Sequence, residues 1–205
     1  MGLARRYAGG TGTGVSDRTL EPPFIDIVVT YLEMRAAPTR PSLPAPAAGK
    51  IALLRAERPT ISYYRYLYNT IGEQWLWWER RRLSDAELAA IIHDPLVEIF
   101  VLYADGVPAG YAELDRRQAS EIELAYFGLI PEFIGRKLGP FLLNWAVDTA
   151  WFHKPQRLWV HTNTLDHPKA LQIYQRAGFV PYRQEPQTIP NPRLTLVHPI
   201  ESARG

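Results

Sequence analysis

The sequence predicts an α+β domain built on a mixed, mostly antiparallel central sheet flanked by helices. Three observations carry that expectation. Short β-branched or alternating runs recur along the chain, as at Phe24–Met34 and Glu121–Leu129. Asp105-Gly106 separates two such runs, Val97–Tyr103 and Pro108–Leu114, and a glycine that tolerates positive φ suits a tight hairpin there. Leu138, Phe141, Leu142, Trp145, Ala146, Thr149 and Phe152 then recur at helical spacing, the pattern of an amphipathic helix packed on a sheet.

The elements follow in order. Residues 1–23 read as a disordered tail: Met1–Asp17 is rich in Gly, Thr and Arg and has no apolar stretch of the kind a secretory leader needs. Residues 24–200 read as one domain. Phe24–Met34 carries Ile25, Ile27, Val28, Val29 and Thr30 and is a strand. Residues 36–49 hold Pro38, Pro41, Pro44 and Pro46 among small residues, a stiff extended connector rather than a packed element. Ile51–Glu57 is a short strand. Thr60 or Ser62 caps a helix through Tyr63, Tyr64, Tyr66, Leu67 and Ile71 that ends at Gly72. Ser84-Asp85-Ala86-Glu87 is a capping box opening a helix through Ile92. On Glu121–Leu129, strict alternation puts Glu121, Glu123, Ala125 and Phe127 on one face and Ile122, Leu124 and Tyr126 on the other. Arg157–Thr162 is a strand, Pro168 suits a helix start and Gly178 its stop. Strand-like runs at Phe179–Tyr182 and Leu194–Val197 close the chain.

Composition narrows the function classes. Of 205 residues, 46% are hydrophobic and 21% charged, with a formal net charge of +2, so no overall field calls for nucleic acid or an anionic membrane. Charged residues interrupt every apolar run before it reaches a membrane span. The chain has no cysteine, hence no disulfide and no thiolate nucleophile, which is compatible with a cytoplasmic location. His161 and His167 lack a third ligand at useful spacing, so no metal is expected.

The chemistry concentrates between Glu121 and Phe179. Gly135 and Gly139, with Arg136 and Lys137 between them, stand just before a helix whose free N–H groups and positive dipole end attract phosphate; the alternative is a plain strand–helix turn. Ala170, Tyr174, Gly178 and Phe179 form an Ala-x-x-x-Tyr-x-x-x-Gly-Phe pattern on the second helix. With the Leu129-Ile130-Pro131-Glu132-Phe133 lead-in, these words resemble the acyl-CoA-binding core of the GCN5-related N-acetyltransferase (GNAT) superfamily. The resemblance covers Val97 to about Tyr182. It departs in the loop, where Ile134 stands for Gln or Arg, Lys137 stands for the first glycine, and Pro140 lacks an N–H.

What the resemblance implies is a GNAT fold and an acetyl-CoA-dependent N-acetyltransferase acting by direct transfer in a ternary complex. Phe127, Gly128 and Leu129 would hold the pantetheine by strand-like backbone bonds. Ile134, Gly135, Arg136, Lys137, Leu138 and Gly139 would hold the pyrophosphate, and His167, where the superfamily often has Asn, would contact the pantetheine arm or simply start the helix with Asp166 as its cap. Tyr174 is the general-acid candidate, against a packing role; Glu123 is the base candidate, against a solvated or substrate-attracting carboxylate, with Glu121 as understudy. The aromatic run Tyr63–Trp78 would help form an acceptor pocket, or pack helix to sheet, and Arg80–Arg82 reads as a solvated face. The partner expected is a small-molecule or peptide amine; a homodimer is allowed. The rival readings are a non-catalytic acyl-CoA-binding or regulatory module and a partner-binding protein.

Overall fold

The computed structural model describes residues 21–47 and 49–195. The strands are β1 (Phe24–Met34), β2 (Ile51–Arg55), β3 (Val97–Ala104), β4 (Val107–Asp115), β5 (Glu121–Leu129), β6 (Arg157–Asn163) and β7 (Val180–Pro190). The helices are α1 (Ile61–Gly72), α2 (Asp85–Ile92), α3 (Leu138–Phe152), α4 (Ala170–Ala177) and a short turn, α5 (Pro192–Thr195). One seven-stranded sheet runs β2-β3-β4-β5-β6-β1-β7. Every pairing is antiparallel except β5 with β6. Of the expected tail at 1–23, residues 1–20 lie outside the described residues, as do residues 196 and 197. Leu194 and Thr195, expected in a strand, sit in the α5 turn instead.

Local signals account for most boundaries. Thr60 accepts from the Tyr63 N–H and caps α1. Ser84 and Glu87 complete both halves of a capping box on α2. Asp105 and Gly106 both take positive φ between β3 and β4, as a two-residue hairpin turn requires. Gly178 ends α4 in the left-handed region. Two cores result. One packs α3 and α4 on one face of the sheet through Leu142, Ala146, Leu158 and Phe179. The other packs α1 and α2 on the opposite face through Tyr64, Leu67, Leu88 and Tyr111.

Three features depart from the sequence reading. The buried stripe of α3 is Leu138, Leu142, Leu143, Ala146, Val147 and Ala150, so Phe152 at its end is 83% exposed. The connector after β1 is extended as expected, yet it is anchored: Arg40 pairs with Asp148 at 3.1 Å and Ser42 donates to the same carboxylate at 2.9 Å. It must reach across α3 because β1 lies beside β7 while β2 forms the opposite edge. Finally, β5 does not alternate throughout. Glu113 pairs with Tyr126 and Leu114 with Leu124, leaving Ala125 as an extra residue. This bulge resets the phase, so Leu124, Phe127 and Leu129 all pack toward α3, and Glu123 lies on the other face from Phe127.

Candidate active site

The bulge stands where two strands part. β5 and β6 pair only at Glu121–Arg157, Ile122–Leu158 and Glu123–Trp159. Beyond that point the β6-facing edge of β5, from Leu124 to Leu129, has no strand partner among the described residues, and its backbone N–H and C=O groups face a groove. The groove has a volume of about 400 Å³. Phe127, Gly128 and Leu129 line one wall, Ile134, Gly135, Lys137 and Gly139 one end, and His167 and Tyr174 the other wall. Arg136 and Leu138 do not line it: the Arg136 guanidinium lies 4.7 Å from the centre of the Phe133 ring, and Leu138 is buried in the core under α3. Gly128 has a packing reason, since a Cβ there would fall 2.4 Å from Ile71 Cγ2 on α1.

The loop before α3 turns through two left-handed residues, Gly135 (φ +87°) and Lys137 (φ +62°). Lys137 thus adopts the conformation that glycine adopts freely. Lys137→Gly is expected to raise unfolding free energy by about 1 kcal/mol through relief of that strain, read as a higher urea midpoint. Lys137→Ala, which keeps the strain, should bring no such gain.

Tyr174 is held by α4 at the junction of this groove with a second cavity. It is 8% exposed, packs edge-on to Phe127 and Phe179, and its hydroxyl makes no hydrogen bond among the described residues. Burial, with the charge of Asp166, pushes its pKa well above 10, so the phenol keeps its proton.

The second cavity, of about 90 Å³, lies between Trp77, Glu79, Tyr126, His161 and Asp166. Glu123 is not among its lining residues; it borders a separate depression with Asp115, Arg117 and Trp159. Its Oε1 instead lies 3.1 Å from Nδ1 of His161, which does line the cavity. Burial pulls the His161 pKa down, but the hydrogen bond and charge of Glu123, with Glu79 and Asp166, outweigh it and leave the imidazole above its ordinary value of 6.5. Glu121 is paired with Arg157 at 3.1 Å and lines neither the groove nor this cavity. One sign of His161 was legible beforehand in its spacing: on β6 it alternates with Val160 and Thr162, both buried, so it faces away from the α3 core.

The loop between α1 and α2 forms the cavity's outer wall. Asp166 does not cap α4; its carboxylate accepts from the Thr162 hydroxyl, the Asn163 N–H and the Trp77 indole N–H. His167 accepts the Lys169 N–H at 3.0 Å, and its ring lies 4.9 Å from that of Trp75 across the groove. Arg80 is not on a solvated face: it pairs at 2.7 Å with Glu113, whose side chain is fully buried. Glu113 also accepts from Tyr64 at 2.6 Å, and Arg80 lies over the Tyr126 ring, whose hydroxyl donates to Glu79. This network ties the wall to β4 and β5.

A model of the acetyltransferase (GNAT) family matches residues 64–179. Proteins of Mycobacterium tuberculosis and Mycobacterium bovis, each named an uncharacterized N-acetyltransferase, are 30% identical over 97 residues, covering 47% of this chain and 62% of theirs. The chain thus spans less than two thirds of these curated relatives. Among solved structures, a GCN5-related N-acetyltransferase from Kribbella flavida superposes with a TM-score of 0.53 at 15% identity, over 83% of this chain and 60% of that one. Another from Sphaerobacter thermophilus gives 0.53 at 16% identity, over 82% and 52%. Both are similar in fold.

Proposed function

Because this chain belongs to the GNAT acetyltransferase family, we propose that it transfers an acetyl group from acetyl-CoA to an amine by direct attack in a ternary complex. The observation that carries the reading is the parting of β5 and β6 beyond Glu123, with Tyr174 and the 134–139 loop on the same groove. The groove suits the cosubstrate chemically. Its β5 edge offers backbone groups without a strand partner to an amide-bearing arm, and Lys137 in the loop and Lys169 elsewhere in the lining bring the positive charge that phosphates need.

Acetyl-CoA would supply the acetyl group as a thioester; the amine nitrogen bonds to its carbonyl carbon and the carbon–sulfur bond breaks. His161, held by Glu123, takes the proton that the nitrogen loses. Tyr174 gives its proton to the departing sulfur, which leaves as the thiol, and regains one from solvent. Glu123 therefore acts through His161 as a positioning and charge-balancing carboxylate.

Calorimetric titration with acetyl-CoA, free CoA and dephospho-CoA is expected to give saturable binding, and no binding to the folded protein would sink the proposal. In thiol-release assays kcat should rise with pH through a value above 6.5, because His161 must be neutral to accept a proton. Glu123→Gln removes the partner that holds that value up, so the limb should move to lower pH while maximal kcat falls about 10²-fold. A limb that stays in place would take His161 and Glu123 out of the proton path. The rival, a non-catalytic acyl-CoA-binding module, draws on Pro140, which removes a donor from the first turn of α3; CoA binding without thiol release on a broad amine panel would decide for it.

A further inference from the structure

The two ends of the site carry opposite charge. The groove takes Lys137 and Lys169 among its lining residues, whereas the adjoining cavity has neither lysine nor arginine. Glu79 and Asp166 line that cavity, and Glu123 stands behind its imidazole. Among the described residues none of these three carboxylates pairs with an arginine or lysine: Glu79 is held by the Tyr126 hydroxyl, Asp166 by Thr162, Asn163 and Trp77, and Glu123 by His161. This contrasts with Glu113, whose charge Arg80 compensates. Glu79, exposed at the rim, and Asp166 thus present negative charge to an entering ligand.

Much of the remaining lining is aromatic. Trp77, Trp78 and Tyr126 are among the lining rings, and an ammonium group gains further from aromatic neighbours. A second, independent sign of a ligand is Tyr174, buried and without a hydrogen-bond partner among the described residues, which lines both spaces. Resting on the acetyltransferase reading, we infer that the acceptor is a cationic primary amine on an apolar or aromatic body, with no carboxylate or phosphate near the nitrogen. The ammonium enters beside Glu79 and Asp166 and gives one proton to solvent; the neutral amine then attacks, and its excess proton passes to His161 as the bond forms. An α-amino acid would bring its carboxylate against the same two groups, and like charges there repel. The cavity of about 90 Å³ has room for the ammonium and a short alkyl stem, with the body against the tryptophans.

The test compares 2-phenylethylamine with phenylalanine, which share a ring and an amine and differ by one carboxylate. With saturating acetyl-CoA, kcat/KM by thiol release is expected to favour 2-phenylethylamine at least tenfold. Glu79→Gln, which keeps an oxygen for the Tyr126 hydroxyl, should shrink that preference several-fold by raising KM for the amine, with acetyl-CoA affinity unchanged. Equal or better use of phenylalanine, or a preference untouched in the variant, overturns the inference and leaves the acetyltransferase reading standing. If neither compound releases thiol, calorimetry on the CoA-loaded protein decides: no saturable binding of 2-phenylethylamine overturns the inference. Failure to bind acetyl-CoA itself is separate and removes the reading beneath it.

Discussion

Tyr174→Phe is expected to lower kcat about 10²-fold while leaving acetyl-CoA affinity and stability intact. The reasoning is geometric. The ring is buried against Phe127 and Phe179, and phenylalanine keeps that packing. The hydroxyl has no hydrogen bond among the described residues to lose, so its removal leaves no partner stranded. A buried polar group that does nothing for the fold is what a proton donor awaiting a substrate looks like. Burial also keeps it protonated, as a donor to a departing thiolate must be. Turnover unchanged in a variant of unchanged urea midpoint would reduce Tyr174 to a packing residue. A fall in stability matching the fall in activity would do so as well.

Arg80→Met is expected to cost about 3–5 kcal/mol, because it leaves the Glu113 carboxylate buried without its counter-charge. Burial already raises the Glu113 pKa above 4.5, and Arg80 together with the Tyr64 hydroxyl opposes that rise. Without Arg80 the rise should be larger. A folded-state value above the unfolded one means the protonated form suits the fold, so stability is lost as pH climbs from about 4.5 toward the folded value. The deficit, read as a urea midpoint against the parent protein, should therefore be larger at pH 8 than at pH 5. An equal deficit at both would show that Arg80 contributes packing rather than charge. The same variant frees the loop carrying Trp77 and Glu79 from β4, so its amine KM should rise even where the fold survives.

Several elements were legible because their causes are local. The caps at Thr60 and Ser84, the Asp105-Gly106 turn and the Gly178 stop each act within a few residues, and the structure has them where their residue types place them. The groove was legible in part. Phe127 to Leu129, the residues around Gly135 and Tyr174 stand together on it, whereas Arg136 and Leu138 do not. Glu123 was read on the face of Phe127, and it lies on the other. No residue type marks a bulge at Ala125; it arises because β4 and β5 must each satisfy burial on two faces at once.

What the sequence alone determined about this protein is the kind and order of its elements, and with them the family pattern. Tertiary structure alone decided which of them meet. It set the first strand between β6 and β7, drew the proline-rich connector across α3, and turned Arg80 inward to a carboxylate 33 residues away. It also joined Glu123, the last residue of β5 paired with β6, to His161, two residues past Glu123's partner Trp159 on that strand. The reason is physical: periodicity, capping and turn preference are properties of neighbouring residues. Strand order, bulges and buried ion pairs are set by whichever distant surface removes most apolar area from water while leaving the fewest polar groups unpaired.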